Sequence, residues 1–202
     1  MGFEAAEQSA RALVDAGSRA LVSWGLAGGL DPRLSPGTLI VPERLVIDGA
    51  RDLSADLAWR EQVLEVLGGA QGRAGIKVPI EAGGKLLTSR RPLTSAADKR
   101  TALLEFGAIA VDMESYAIAA VAAGRGLPFV AIRDIVDAAD DEVPAALLDA
   151  ADARGRLAAG RLLVRMLGSP RSVMPFLGLA GRYNVARRSL RAAAQAGAPG
   201  SP

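Results

Sequence analysis

Apolar and polar positions along the chain alternate between strand-like and helix-like blocks. From Glu4 to Ala16, Ala6, Ala10, Leu13 and Val14 recur at helical spacing, and Glu7 with Arg11 makes an i,i+4 pair. Gly17 predicts the C-terminal stop of that helix. Arg19 to Trp24 is a short apolar strand running into Gly25-Leu-Ala-Gly-Gly-Leu30, and Asp31-Pro32 and Ser35-Pro36-Gly37 mark turns. Thr38 to Val41 and Arg44 to Ile47 read as strands on either side of Pro42. Leu57 to Leu67 predicts a helix followed by a glycine-rich loop. Val78 to Thr88 reads as a strand or hairpin weakened by Gly83 and Gly84. A helix over Ala96 to Phe106, a strand over Ala108 to Val111, a small-residue helix over Ser115 to Ala123 ended by Gly124, and a strand over Leu127 to Ile135 follow. Beyond Pro144 helical patterns dominate: a long helix from Ala145 to Leu167, and a second from about Leu177 to Ala194 with Leu179, Tyr183, Ala186 and Leu190 on one face. This order predicts a single-domain α/β fold, a mixed β-sheet sandwiched by helices over residues 1–195, with a disordered tail over 196–202.

At 202 residues, half of them hydrophobic but only 4% aromatic, the chain can close one sizeable core of Ala, Val, Leu and Ile. A net charge of +2 argues against a nucleic-acid binder working by bulk charge. There is no Cys and no His, which excludes disulfides, thiolate nucleophiles, Cys/His zinc sites and a histidine base. Acid–base chemistry therefore falls to Asp, Glu, Lys, Tyr or bound water, and no metal is expected. The N-terminus is acidic, without the basic and apolar pattern of a secretory signal, and no apolar run is long enough to span a bilayer. A cytoplasmic protein is the expectation.

Two apolar strands end in acids, at Val111-Asp-Met-Glu114 and at Phe129-Val-Ala-Ile-Arg-Asp-Ile-Val-Asp-Ala-Ala-Asp140. Parallel α/β sheets bind ligands at the carboxyl ends of their strands. Asp112 and Glu114 flank Met113, and a carboxylate there can accept two hydrogen bonds from a ribose diol. It can equally cap the following helix, and spacing alone slightly favours the cap. Arg133, Asp134, Asp137, Asp140, Asp141 and Glu142 cluster after the second strand. Crowded carboxylates raise one another's pKa, so one of them could be a general acid, with Arg133 pairing with another; Asp140 to Glu142 could instead cap the next helix. Gly25, Gly28 and Gly29 could let a ligand approach the backbone, and a tight turn would need them as well. They form neither a dinucleotide-binding nor a Walker motif. The arginines of the last helix lie beside an apolar face that could touch an anionic membrane; docking onto the domain or onto a second subunit is the commoner outcome.

Three blocks, in order, resemble the purine nucleoside phosphorylase and nucleosidase superfamily: Ser23-Trp-Gly-Leu-Ala-Gly-Gly-Leu30 with Pro36-Gly-Thr-Leu-Ile-Val-Pro42, then Asp112-Met-Glu-Ser115, then Ile132-Arg-Asp-Ile-Val-Asp-Ala-Ala-Asp140. The resemblance implies a phosphorylase/hydrolase-like fold and a glycosyl-cleaving enzyme. It implies that Glu114 binds the ribose hydroxyls, with Met113 under the sugar and Asp112 beside them. Asp137 would be the catalytic acid at N7 of adenine, Ala27 and Gly28 would lie near the ribose or the nucleophile, and Ser89 with Leu93-Thr94 would line the base pocket. Val136 departs from the Ser that usually stands beside the catalytic acid. The family's N-terminal strand with a water-activating Glu has no counterpart before Met1, so an N-terminally shortened chain is expected. Among subfamilies the hopanoid-associated phosphorylases are most similar, implying release of adenine from adenosylhopane in hopanoid biosynthesis. The alternatives are a methylthioadenosine/S-adenosylhomocysteine nucleosidase and a catalytically disabled nucleoside-binding member. No cofactor is implied beyond phosphate as a candidate co-substrate. The implied partners are a lipid-linked, 5′-substituted adenosine and further copies of the chain in a homo-oligomer, with no nucleic acid. The amphipathic last helix admits a peripheral contact with the inner membrane.

Overall fold

The computed structural model describes residues 2–73, 78–142 and 173–202. Helix α1 (Phe3–Asp15) leads into strand β1 (Leu21–Gly29), followed by β2 (Leu39–Ile40), β3 (Arg44–Val46), β4 (Leu53–Ser54) and helix α2 (Leu57–Arg73). Then come β5 (Ile80–Glu81), β6 (Lys85–Thr88), helix α3 (Ala96–Phe106), β7 (Ala108–Asp112), helix α4 (Ser115–Gly124), β8 (Phe129–Asp137) and a C-terminal helix α5 (Val173–Gln195). The strands form one mixed sheet of eight in the order β4-β3-β6-β7-β1-β8-β2-β5. The single-domain α/β architecture expected from the sequence is the one observed.

Strand β8 shows why helices cover both sides. Phe129, Ala131 and Ile135 join a core cluster with Ala10 of α1 and with Tyr116, Ala119 and Ala122 of α4. Val130 and Ile132 point the other way, into a cluster with Trp59 and Val63 of α2 and Leu190 and Ala193 of α5. A strand buried on both faces loses the polar–apolar alternation and reads as a continuous apolar run. Full burial of a side chain such as Ile132 contributes about 1.5–3 kcal/mol.

Several elements differ from the sequence reading. β1 runs on through its glycines to Gly29, because they pair with β7 and β8. α2 continues past Gly68 and Gly69, held by burial of Trp59, Val63 and Leu67 rather than by propensity. Residues 78–88 are not a hairpin: β5 pairs with β2, while β6 pairs with β3 and β7. Gly83 and Gly84, both at positive φ, carry the chain between those positions, and a Cβ on Gly84 would press on Ile109 at 2.8 Å. On α5, Ala186 and Leu190 are buried and Tyr183 is partly exposed, while the side chain of Leu179 lies outside the described residues. So does the expected helix over Ala145 to Leu167. At the C-terminus, Ala198 packs into the α2–α5 cluster and the Pro199 carbonyl accepts a hydrogen bond from Trp59 Nε1 at 2.8 Å. Among the described residues no helix is long and apolar enough to cross a membrane.

Candidate active site

Three strand ends converge on Gly28. β1 runs parallel to β8 from Leu21 onward, with an irregularity between Ala27 and Gly28 that places Gly28 opposite Asp137. Gly28 also pairs antiparallel with Val111 of β7. This double pairing brings the heads of β7 and β8 around one cavity of ≈150 Å³, walled by Gly28, Leu93, Thr94, Asp112, Met113 and Asp137 among others. A Cβ on residue 28 would stand 3.2 Å and 3.3 Å from the two Asp137 oxygens, so glycine keeps the carboxyl uncrowded.

Asp137 is 6% exposed. Burial pushes its carboxyl above the usual range, and the ammonium of Lys99, bonded to Oδ2, draws it part of the way back; Asp141 raises it and Arg182 lowers it to lesser degrees. The elevated acid thus owes more to desolvation than to the crowding of carboxylates. Asp141 turns away from the cavity, accepting from the Ala138 N–H at 2.7 Å and pairing with Arg182 of α5.

Asp112 borders the cavity with its carboxylate already engaged. Thr88 Oγ1 donates to its Oδ1 at 2.8 Å, Arg133 Nη2 lies 2.8 Å from Oδ2, and the N–H groups of Glu114 and Ser115 donate to it at 3.2 Å. With its oxygens so occupied, Asp112 caps α4 and holds Glu114 in place. Arg133 departs from expectation. It faces α4, touching Ser23 Oγ at 2.7 Å and Ser115 Oγ at 3.0 Å, and pairs with Asp112 and Glu114 rather than with the acids beyond β8. Alternation along β8 is the reason, since Arg133 shares its face with Ala131 and Ile135. Gly25 serves this arginine, because a Cβ there would collide with the guanidinium. Glu114, 3.7 Å from Arg133, is raised by burial against the lowering effect of that cation.

The remaining candidates are dispersed. Met113 borders the cavity. Ala27 is 3% exposed and packs in the core with Ile135 and Ala110. Ser89 donates to Arg91 O at 2.5 Å within its own turn and borders a neighbouring cavity of ≈370 Å³ with Arg90 and Asp98. Among the described residues no group of three or more acidic side chains converges as a metal cage would require. The residue that sequence reasoning missed is Lys99. Its signal was a lysine on the inward stripe of a helix, with Ala102, Leu103 and Phe106 at i+3, i+4 and i+7.

The family model of the phosphorylase superfamily matches residues 1–168. The chain belongs to this superfamily. No curated protein matches the chain. Solved structures of similar fold superpose over 67% to 96% of the chain. The native futalosine hydrolase of Helicobacter pylori is 17% identical, with a TM-score of 0.67, over 96% of this chain and 76% of that one. The 5′-methylthioadenosine/S-adenosylhomocysteine nucleosidase of the same organism is 16% identical, with a TM-score of 0.67, over the same shares of the two chains. An S-adenosylhomocysteine nucleosidase from Streptococcus pyogenes is 20% identical, with a TM-score of 0.58, over 69% of this chain and 64% of that one. Against a mutant futalosine hydrolase of H. pylori the match spans 66% of that protein's length. At these identities the likeness is one of fold.

Proposed function

We propose that this superfamily member cleaves the N-glycosidic bond of a 5′-substituted adenosine. The observation that carries the reading is Asp137: a buried carboxyl at the head of β8, raised by burial above its ordinary range, beside a backbone cleared of side chain at Gly28. Asp137 hands its proton to N7 of the purine as the C1′–N9 bond breaks, making the base a better leaving group; such acid catalysis contributes roughly 10²–10⁴-fold in rate. Glu114, held by Asp112 and Arg133, binds the ribose hydroxyls, and Met113 packs against the sugar. Water or phosphate attacks C1′.

The substrate we favour is adenosylhopane, on the resemblance of the motif blocks to the hopanoid-associated phosphorylases. The apolar wall at Leu93 suits the base of such a substrate. The second reading is a methylthioadenosine or adenosylhomocysteine nucleosidase; a mutant of the H. pylori relative holds 5′-methylthioadenosine in its active site. The ≈150 Å³ cavity is smaller than the roughly 300 Å³ at which ligand pockets begin, which fits a site completed by another copy of the chain.

Adenine release from a long 5′-alkyl adenosine and from methylthioadenosine, compared side by side, tests the proposal. Release from either, lost by about 10²-fold or more in Asp137→Asn with an unchanged circular dichroism spectrum, is the expected result. Preference for the alkyl substrate supports the lipid-linked reading, and preference for the thio-nucleoside supports the second. Full activity in Asp137→Asn refutes the assigned acid. Supplying phosphate and identifying the free 5-substituted ribose or its 1-phosphate separates hydrolysis from phosphorolysis.

A further inference from the structure

Lys99 has no solvent exposure at all, although it is a lysine on a helix. Its ammonium contacts Asp137 Oδ2, Ala138 O at 2.6 Å and Asp141 O at 3.0 Å. Three acceptors for three N–H groups satisfy an ammonium completely. Taking a cation out of water nevertheless carries a penalty of several kcal/mol that its pairing must offset, and an apolar side chain is often as stable in such a place. The neighbours Leu103 and Phe106 show that this stripe of α3 accepts apolar residues. A requirement at the carboxyl explains the lysine better than a requirement of the core.

We propose that Lys99 is the positioning residue of the reaction: its ammonium fixes the orientation of the Asp137 carboxyl and makes it a strong enough acid to release its proton to the leaving purine. With Oδ2 tied to Lys99, Oδ1 is left as the oxygen that meets the base. This inference rests on the glycosidic reading given above.

The groups acting on Asp137 come from several elements. Lys99 comes from α3, Asp141 from the segment after β8 and Arg182 from α5. Arg91 and Asp112 share the cavity from the β6–α3 segment and the end of β7. Burial raises the carboxyl, and Lys99 is the largest influence opposing it. Without Lys99 the carboxyl holds its proton to higher pH and becomes a weaker acid. A general acid works only when protonated, so activity declines as pH rises through its pKa. Removing Lys99 must therefore lower kcat and move that decline upward in pH.

The test uses the full chain with Lys99→Met and Lys99→Arg. In Lys99→Met we expect kcat for adenine release to fall at least tenfold, with the alkaline limb of the pH–rate profile displaced upward by about one unit or more. In Lys99→Arg, which keeps the cation, the limb should return towards its wild-type position. In parallel, the ¹³C carboxyl resonance of Asp137 is titrated in each substrate-free protein, where its midpoint should rise in Lys99→Met and stay near wild type in Lys99→Arg. A limb and a midpoint unmoved in Lys99→Met overturn the proposal. Should the Met variant not fold, an Asp137 midpoint in Lys99→Arg that rises as burial alone would dictate overturns it as well. Wild-type protein that releases no base refutes the glycosidic reading instead, a result distinct from an active wild type whose Lys99→Met variant behaves identically.

Discussion

Asp134 is a buried acid outside the cavity. Its neighbour Ile132 places it on the α5 side of β8, and it has no solvent exposure. Neither carboxyl oxygen makes a hydrogen bond of full geometry. Two donors that act on its titration bond elsewhere, Ser189 Oγ to Gly37 O at 3.2 Å and the Gly37 N–H to Ile135 O at 2.8 Å. Burial raises this carboxyl to about 7, from 3.8, and Ser189 and Gly37 act in the opposite direction. Between those values the folded protein holds a proton that the unfolded chain has lost. Stability is therefore greatest at low pH as far as this group is concerned, falls as pH rises from about 4 to about 7, and is flat above. Asp134→Asn should remove the penalty, raising Tm at pH 8 while changing it little near pH 4; thermal melts across that range would show it. Arg133 behaves oppositely. Arg133→Met leaves the buried Asp112 carboxylate without its cation, and a loss of about 3–5 kcal/mol in urea unfolding is expected.

At the scale of the element, α3 shows what a sequence states openly. Ser95 Oγ accepts from the Asp98 N–H at 3.0 Å and donates to Asp98 Oδ2 at 2.9 Å, closing the first turn. Gly107 ends the helix at φ 61°. Both signals are local, and the helix lies where the sequence puts it, at Ala96–Phe106. Ser95→Ala should lower stability by about 1 kcal/mol and loosen the base of Lys99, as a shifted urea midpoint would reveal. Elements without such markers were not legible. β4 is two residues long and exists only through its pairing with β3. β1 outruns its predicted end because strands distant in sequence, not neighbours, pair with its last residues.

Across the whole molecule, the α/β class and the placing of carboxylates at strand ends could be read from alternation and composition, whereas the wiring of those carboxylates could not. That Arg133 and Asp134 face opposite layers follows from strand geometry once β8 is known to be a strand. That Lys99 meets Asp137 depends on how α3 lies across the sheet, which no local pattern encodes. The convergence at Gly28 has a further consequence, for assembly in time. Ser23 and Arg133, which share a hydrogen bond, are 110 positions apart, and Lys99 and Asp137 are 38 apart. Contacts of such long range close late, after the entropy of looping has been overcome. The cavity, lined by residues from Gly28 to Asp137, therefore needs β1, β7 and β8 together, and a chain cut between them loses it.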